Sequence, residues 1–240
     1  MNRTEFWSKT VKLAWDVDKV CESISNLFKE NKVNKILDCA CGTGHHVIMF
    51  QQMGYVATGS DLSPSMIQKA KSNSEKYGIS ALFRIVDFSN LTNVFNEKFD
   101  AVVCVGNSLP HLFSDEDLTK AISEMYDVLN KNGILIIDQR NYDKLVKNEI
   151  RFIPSSFRED EIFFYVLDYF PNKIVFNVID IEIENRKVKT YSTEYNPLKK
   201  RKLIELLRTA GFKDMKLYQD HEFNDFDPEN SDNLIVVSKK

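Results

Sequence analysis

With 240 residues, 43% apolar and 28% charged, the chain is long enough for one substantial core and lacks the composition of a disordered or linker protein. A formal net charge of −3 gives no footprint for nucleic acid, whose affinity rests on Lys and Arg against phosphates, and favours a small or neutral partner. The start, MNRTEFWSKTVKLAW, has no secretory cleavage pattern and no window nears the ~18 apolar residues of a membrane span, so a cytoplasmic chain without membrane contact is expected, alone or as a homo-oligomer.

The first part alternates strands and helices. KILDCA reads as a strand, GHHVIMFQQMG as a helix ended by Gly54, and YVATGSD as a second strand. SPSMIQKAKSNSEKYG reads as a helix with Ser63 as N-cap, Pro64 at its first position and Gly78 at its stop. ALFRIVD and FDAVVCVGNS follow as strands. Leu118, Ala121, Ile122, Met125, Val128 and Leu129 recur at three-and-four spacing, which predicts a helix from Ser114 to Asn132, opened by Ser114 with Asp117 and stopped by Gly133. ILIIDQR is the fifth strand. Near-continuous apolar strands such as AVVCV and ILII belong in a mostly parallel sheet covered on both faces.

After Tyr142 the texture changes to antiparallel candidates: EIFFYVLDYF, KIVFNVIDIEIE and KVKTYSTEY, with reversals at Pro171-Asn172 and Asn185-Arg186. Ile179, Ile181 and Ile183 alternate with Asp180, Glu182 and Glu184, the pattern of a strand with its acids facing water. A last helix over Lys199 to Ala210 ends at Gly211, its KKRK opening read as a solvated face, and DMKLYQ and NLIVVS close the fold. Cys21, Cys39, Cys41 and Cys104 lack zinc or disulfide spacing and read as reduced, buried small hydrophobes.

The chemistry lies at the first strand-to-helix joint. Gly42 and Gly44 let the main chain approach a ligand, and the helix start after them offers N–H donors and a partial positive charge to an anionic group. A dinucleotide fingerprint would place a third glycine where Val47 stands, which disfavours a nicotinamide-dependent reductase. Asp38, Asp61 and Asp87 each end a predicted strand on the same edge, and Asp61 is suited to accept from ribose hydroxyls. No serine or cysteine triad and no metal-ligand spacing appears; His45, His46 and His111 make no credible metal site.

With ILDCACGTG, GSDLSPSMIQKAK, FDAVVCVGNSLPHL and IIDQRNYD in this order, the chain resembles the class I S-adenosylmethionine-dependent methyltransferases, and among them the glycine and glycine/sarcosine N-methyltransferases. The resemblance implies one α/β domain over 1–240 with a Rossmann-like, doubly wound, mostly parallel seven-stranded sheet. An antiparallel β insert at 148–197, between strand five and the last helix, would cover the substrate, and 1–33 would form an N-terminal helical lid. It implies S-adenosylmethionine as cofactor, S-adenosylhomocysteine as product and a small-molecule amine as methyl acceptor.

By the same resemblance Ala40 and the Gly42 to Gly44 loop line the methionine part of the cofactor, Asp61 holds the ribose, and Leu62 and Met66 border the adenine. Asp87 and Phe88 meet the adenine edge, with Val105 and His111 near the cofactor. Asn107 and Arg140 hold an amino-acid substrate, and Tyr195 stands near it. The chemistry agrees for Arg140, whose planar fork can grip a carboxylate; an Arg paired with Asp138 or Asp143 is the structural alternative. The family's N-terminal segment carries an arginine that has no counterpart in TEFWSKTVKLAWDVDK, where Asp16 or its neighbours occupy the place and Lys9, Lys12 or Trp15 would substitute. No residue is expected to act as a catalytic acid or base, because the sulfonium leaving group is already activated. An amino sugar as acceptor, and a non-catalytic cofactor-binding protein, are the rival readings.

Overall fold

The computed structural model describes Asn2, residues 4–6 and residues 17–240; Lys9, Lys12, Trp15 and Asp16 lie outside the described residues. Helix α1 (Val17–Glu30) precedes a βα series: β1 (Lys35–Asp38), α2 (His45–Gln52), β2 (Val56–Asp61), α3 (Pro64–Lys76), β3 (Leu82–Ile85), β4 (Phe99–Cys104), α4 (Asp115–Asp127) and β5 (Leu129–Arg140). After α5 (Tyr142–Asn148) come β6 (Phe152–Phe157), β7 (Glu161–Phe170), β8 (Lys173–Glu182) and β9 (Lys187–Tyr195). Helix α6 (Lys200–Ala210), β10 (Lys213–Tyr218) and β11 (Asn233–Lys239) complete the chain.

The seven-stranded sheet has the order β10-β11-β5-β4-β1-β2-β3. Strands β1 to β5 pair in parallel, while β11 runs antiparallel to β5 and β10 antiparallel to β11. This is the Rossmann-like, doubly wound arrangement. Alternation along the strands sends Leu37, Val102, Leu135 and Val236 to the face covered by α4 and α6, and Ile36, Val103, Ile136 and Ile235 to the face covered by α1, α2 and α3. Each such side chain, fully buried, contributes about 2 kcal/mol of transfer free energy. Because β1 lies between β2 and β4, the chain leaves it in opposite directions on its two sides, opening a crevice at the carboxyl ends of the strands.

Local chemistry sets the helix starts. Ser63 caps α3 by accepting the Met66 N–H at 3.4 Å, with Pro64 next, and Ser114 caps α4 by accepting the Asp117 N–H at 3.0 Å. Helix α4 stops at Asp127, short of the expected Asn132, and Gly133 lies inside β5. Val128 and Leu129 do extend the apolar stripe and are fully buried, but they reach the core from the joint and from β5, where Leu129 pairs with Phe99 before the register resumes at Ile134 with Ala101.

The second sheet is antiparallel in the order β6-β7-β8-β9, and its strands lie within residues 148–197. Pro171-Asn172 joins Phe170 to its partner Lys173, and the β8–β9 reversal passes through Arg186 at φ 49°. Two features depart from expectation. Strand β6, not foreseen, is an edge strand that accommodates Pro154 at a bulge between Pro154 and Ser156. Asp180 points inward and is fully buried, while Ile179 and Ile181 are half-exposed, so the expected alternation is reversed there. The inner face carries Phe163, Tyr165, Leu167, Phe176 and Val178, packed with Tyr142, Leu145 and Tyr195. All four cysteines are free and buried, and burial pushes the Cys21, Cys39 and Cys41 thiols upward, away from reactivity. Among the described residues no helix is long and apolar enough to cross a membrane.

Candidate active site

A cavity of about 380 Å³ opens at the carboxyl ends of β1, β2 and β4 and is closed on its far side by Tyr191 and Thr193 of β9. That is the size of a small-ligand pocket. Its floor is the loop after β1. Gly42 at φ 50° and Gly44 at φ 83° both take the left-handed conformation that glycine adopts at little cost. The two differ otherwise: a Cβ on Gly42 would meet open space, whereas one on Gly44 would lie 2.8 Å from the Ala70 Cβ and 3.0 Å from the Phe83 ring. Gly42 lines the cavity, and Gly44 lets α2 pack against α3 and β3 beneath it.

Asp61 is the joint of the site. Its Oδ2 accepts the Gly42 N–H at 3.0 Å and its Oδ1 accepts the Ser63 N–H at 2.9 Å, so one carboxylate pins the loops after β1 and β2 together. Asp87 orders its own loop by accepting the Ser89 N–H at 2.7 Å, and Leu62, Met66 and Phe88 add an apolar border. Ala40, Thr43 of the glycine loop, Val105 and His111 also lie on the wall, as do His45, His46, Gly106, Ser108 and Val17, which the sequence reading had not placed there. His45 is held neutral, its pKa lowered first by burial and then by His46 and Lys69.

Asp38 is not on the wall. It is fully buried, accepts the Ala40 N–H at 3.2 Å and lies 3.6 Å from Nδ1 of His46, so it braces the loop from below. Asn107, Arg140 and Tyr195 also lie off the cavity wall and form a niche behind Gly106 and His111, where the His111 ring sits 4.6 Å from the Tyr195 ring. Asn107, at φ 60°, accepts the Arg140 backbone N–H at 3.0 Å and the Tyr142 hydroxyl at 3.1 Å on its side-chain carbonyl, and its Nδ2 lies 2.9 Å from the same hydroxyl. Its carbonyl therefore orients protein groups. Tyr142 is buried, and signalled only by its place in IIDQRNYD. Burial pushes the Tyr142 and Tyr195 phenols above their ordinary value, the Asn107 amide and the Arg140 charge pulling the other way.

The Arg140 guanidinium reaches Asn233 Oδ1 at 3.4 Å and stands 6.0 Å over the Tyr165 ring; among the described residues no carboxylate lies within 4.0 Å of it. Asp138 turns elsewhere, to Nε2 of His221 at 3.3 Å and the Gly106 N–H at 3.4 Å. Burial raises its pKa, but the His221 hydrogen bond and charge, the Gly106 amide and the Arg140 charge outweigh that and hold it below 3.8. Asp143 accepts the Lys200 N–H at 2.8 Å. A positive fork thus stands in a niche of phenols, beside a cavity with an acid for hydroxyls, amides at a helix start for a carboxylate, and an apolar border for a planar ring. These residues fit an adenosyl sulfonium amino acid.

The crevice, its glycine loop and the strand-end acids define a class of protein, and comparison with known proteins agrees. Residues 36–133 match the family model described as a methyltransferase domain. The chain is 33% identical over 217 residues to a glycine/sarcosine N-methyltransferase of Aphanothece halophytica, covering 88% of this chain and 78% of that one. Its fold superposes with a TM-score of 0.82 on an S-adenosylmethionine-dependent methyltransferase from Clostridium acetobutylicum, at 19% identity over 98% of this chain and 97% of that one. It also superposes at 0.72 on an S-adenosylmethionine-bound amino pentose methyltransferase from Micromonospora echinaspora, at 12% identity over 100% of this chain and 98% of that one. The chain belongs to the class I S-adenosylmethionine-dependent methyltransferases. Within that class its sequence is similar to the glycine/sarcosine N-methyltransferases.

Proposed function

We propose that this methyltransferase acts on the nitrogen of a small amine bearing a carboxylate, an amino acid such as glycine or sarcosine. The observation that carries the reading is Arg140: a cation at the end of β5, with no carboxylate within 4.0 Å among the described residues, beside the cavity suited to the donor. A guanidinium with no carboxylate in direct contact keeps its paired donors available to a ligand's carboxylate. The 33% identity to a glycine/sarcosine N-methyltransferase supports the same acceptor.

S-adenosylmethionine supplies an activated methyl group on a sulfonium. The residues of the chain have the tasks of alignment and exclusion of water. In this reading Asp61 takes the ribose hydroxyls, Leu62, Met66 and Phe88 border the adenine with Asp87 at its edge, and the backbone after Ala40 meets the amino-acid end. Arg140 fixes the acceptor's carboxylate through paired hydrogen bonds. Asn107 holds Arg140 and Tyr142 in place. No side chain is assigned as general base, because an amine that binds neutral needs only orientation.

The test is direct. The protein is incubated with S-adenosylmethionine and, separately, glycine, sarcosine, amines without a carboxylate and an amino sugar, and S-adenosylhomocysteine is quantified by chromatography. Turnover with the amino acids alone supports the proposal. Turnover with the amino sugar alone assigns a different acceptor, and cofactor binding by calorimetry without any turnover leaves a binding protein.

A further inference from the structure

Three of the chain's four histidines line the cavity; the fourth, His221, stands off its wall on the loop between β10 and β11. That loop is tightly built. The Gln219 N–H donates to the Asn224 carbonyl at 2.9 Å, and the Asp220 carboxylate accepts the Glu222 and Asn224 N–H groups at 3.0 and 3.2 Å and the Asn224 side-chain amide at 2.8 Å. Phe223, at φ 61°, sets its ring 5.1 Å from that of Tyr218, and Glu222 pairs with Lys19 of α1. His221 is thereby presented at one place: its side chain is 17% exposed, and its Nε2 stands 3.3 Å from Oδ2 of Asp138 on β5.

Asp138 and Arg140 are two residues apart on one strand and so lie on the same face of it. A carboxylate and a guanidinium so placed are natural partners, yet they do not pair: among the described residues no carboxylate lies within 4.0 Å of the guanidinium. Two other donors hold Asp138. Its Oδ2 accepts from Nε2 of His221 and, at 3.4 Å, from the Gly106 N–H. Burial raises the Asp138 pKa, but the His221 hydrogen bond and charge, the Gly106 amide and the Arg140 charge hold it below 3.8, so the carboxylate is ionised at neutral pH and the imidazole nitrogen facing it bears a hydrogen. Neither contact is short. Together they fix the rotation of the carboxylate, and without His221 a single 3.4 Å bond would have to resist the pull of the Arg140 charge.

On the reading of Arg140 as the acceptor's anchor, we infer that His221 is a positioning residue for the acceptor niche: by donating to Asp138 it turns that carboxylate away from Arg140 and leaves the paired donors of the guanidinium to the carboxylate of a bound amine. Asp138 also holds the loop after β4, because its main-chain carbonyl accepts the Asn107 N–H at 3.1 Å. Gly106 and Asn107 stand there at φ 76° and 60°, two left-handed residues in succession, a turn that keeps its shape only where its surroundings fix it. Gly106 lines the cavity and Asn107 holds the Arg140 backbone. A carboxylate swung to Arg140 would therefore neutralise the fork and release the Gly106 end of the turn between the two sites.

Steady-state kinetics with an amino-acid acceptor and calorimetry with S-adenosylmethionine, on the full chain and its variants, test the role of His221. His221→Phe fills the same space without a donor and is expected to raise the acceptor KM at least about fivefold while cofactor affinity stays within about twofold. His221→Gln, whose amide nitrogen falls near the place of Nε2, is expected to keep the acceptor KM within about twofold of wild type. Asp138→Asn added to His221→Phe is expected to lower the acceptor KM again, because the competing charge is gone. If His221→Phe fails to fold, His221→Asn, whose amide stops short of Asp138, takes its place in each comparison. An acceptor KM unmoved by these substitutions overturns the inference, as does one that stays raised in the double variant, or proton–nitrogen NMR that finds the hydrogen of the neutral imidazole on Nδ1. A wild type that turns over no amino acid is a different failure: it sinks the reading of Arg140, and this inference with it, before any substitution is made.

Discussion

The side-chain carbonyl of Asn107 accepts the backbone N–H of Arg140 at 3.0 Å and so ties the loop after β4 to the tip of β5. Asn107→Ala strands that N–H and the Tyr142 hydroxyl, at about 1–3 kcal/mol, and places alanine at φ 60°, at about 1 kcal/mol more. Asn107→Gly relieves the backbone part alone. Thermal denaturation should rank wild type above Asn107→Gly above Asn107→Ala, while the acceptor's KM rises in both. Recovery of the wild-type KM by glycine would show that the amide is dispensable.

Arg140→Ala should raise the KM of an amino-acid acceptor by at least tenfold and leave that for S-adenosylmethionine within about twofold, since a hydrogen bond to a charged group contributes about 1.5–3 kcal/mol. Lysine at 140 keeps the charge without the fork and should restore only part of the loss. Steady-state kinetics with each substrate varied in turn checks both; an unchanged acceptor KM removes Arg140 from the site.

Asp61→Asn keeps the shape of the side chain and removes its charge, weakening the bonds from Gly42 and Ser63 and any from ribose hydroxyls. Calorimetry should show S-adenosylmethionine binding about 10- to 100-fold more weakly.

The two loop glycines should fail differently. Gly44→Ala combines a φ of 83° with a Cβ 2.8 Å from Ala70, so a loss of at least about 2 kcal/mol and a melting temperature lower by about 5 °C or more are expected. Gly42→Ala meets no atom within 4 Å, so its melting temperature should fall less while cofactor affinity falls more.

The folded-state pKa of Asp138 is depressed below 3.8, so its stabilising contribution is fully present at neutral pH and is lost as pH falls through that lowered value. Asp138→Asn should therefore be less stable than wild type at pH 7, with the gap narrowing below about pH 4. Denaturant unfolding at a series of pH values measures it; a gap that stays constant would contradict the assignment.

The parallel half of the fold is legible because apolar runs, Ser63-Pro64 and Ser114 with Asp117 act locally. The end of α4 was not, since Val128 and Leu129 are buried whether helical or extended, and a burial pattern cannot tell the two apart. Strand β6 hides behind a proline that only an edge strand tolerates, and Asp180 shows that acids alternating with isoleucines do not fix which set faces inward. In the cavity, the glycine loop and strand-end acids announce themselves within fifty residues. Tyr191 and Thr193 do not, because only the folding back of the second sheet brings β9 across from β1.

Strand β11 lies between β5 and β10, and its first residue, Asn233, meets Arg140, while the preceding Asp232 carbonyl accepts the Asn141 N–H at 2.9 Å. On a ribosome, β5 is therefore made some ninety residues before the neighbour that seals its open edge. The nascent polypeptide must hold a half-built sheet in solution until Lys239 has cleared the exit tunnel, and only then can the niche around Arg140 take shape.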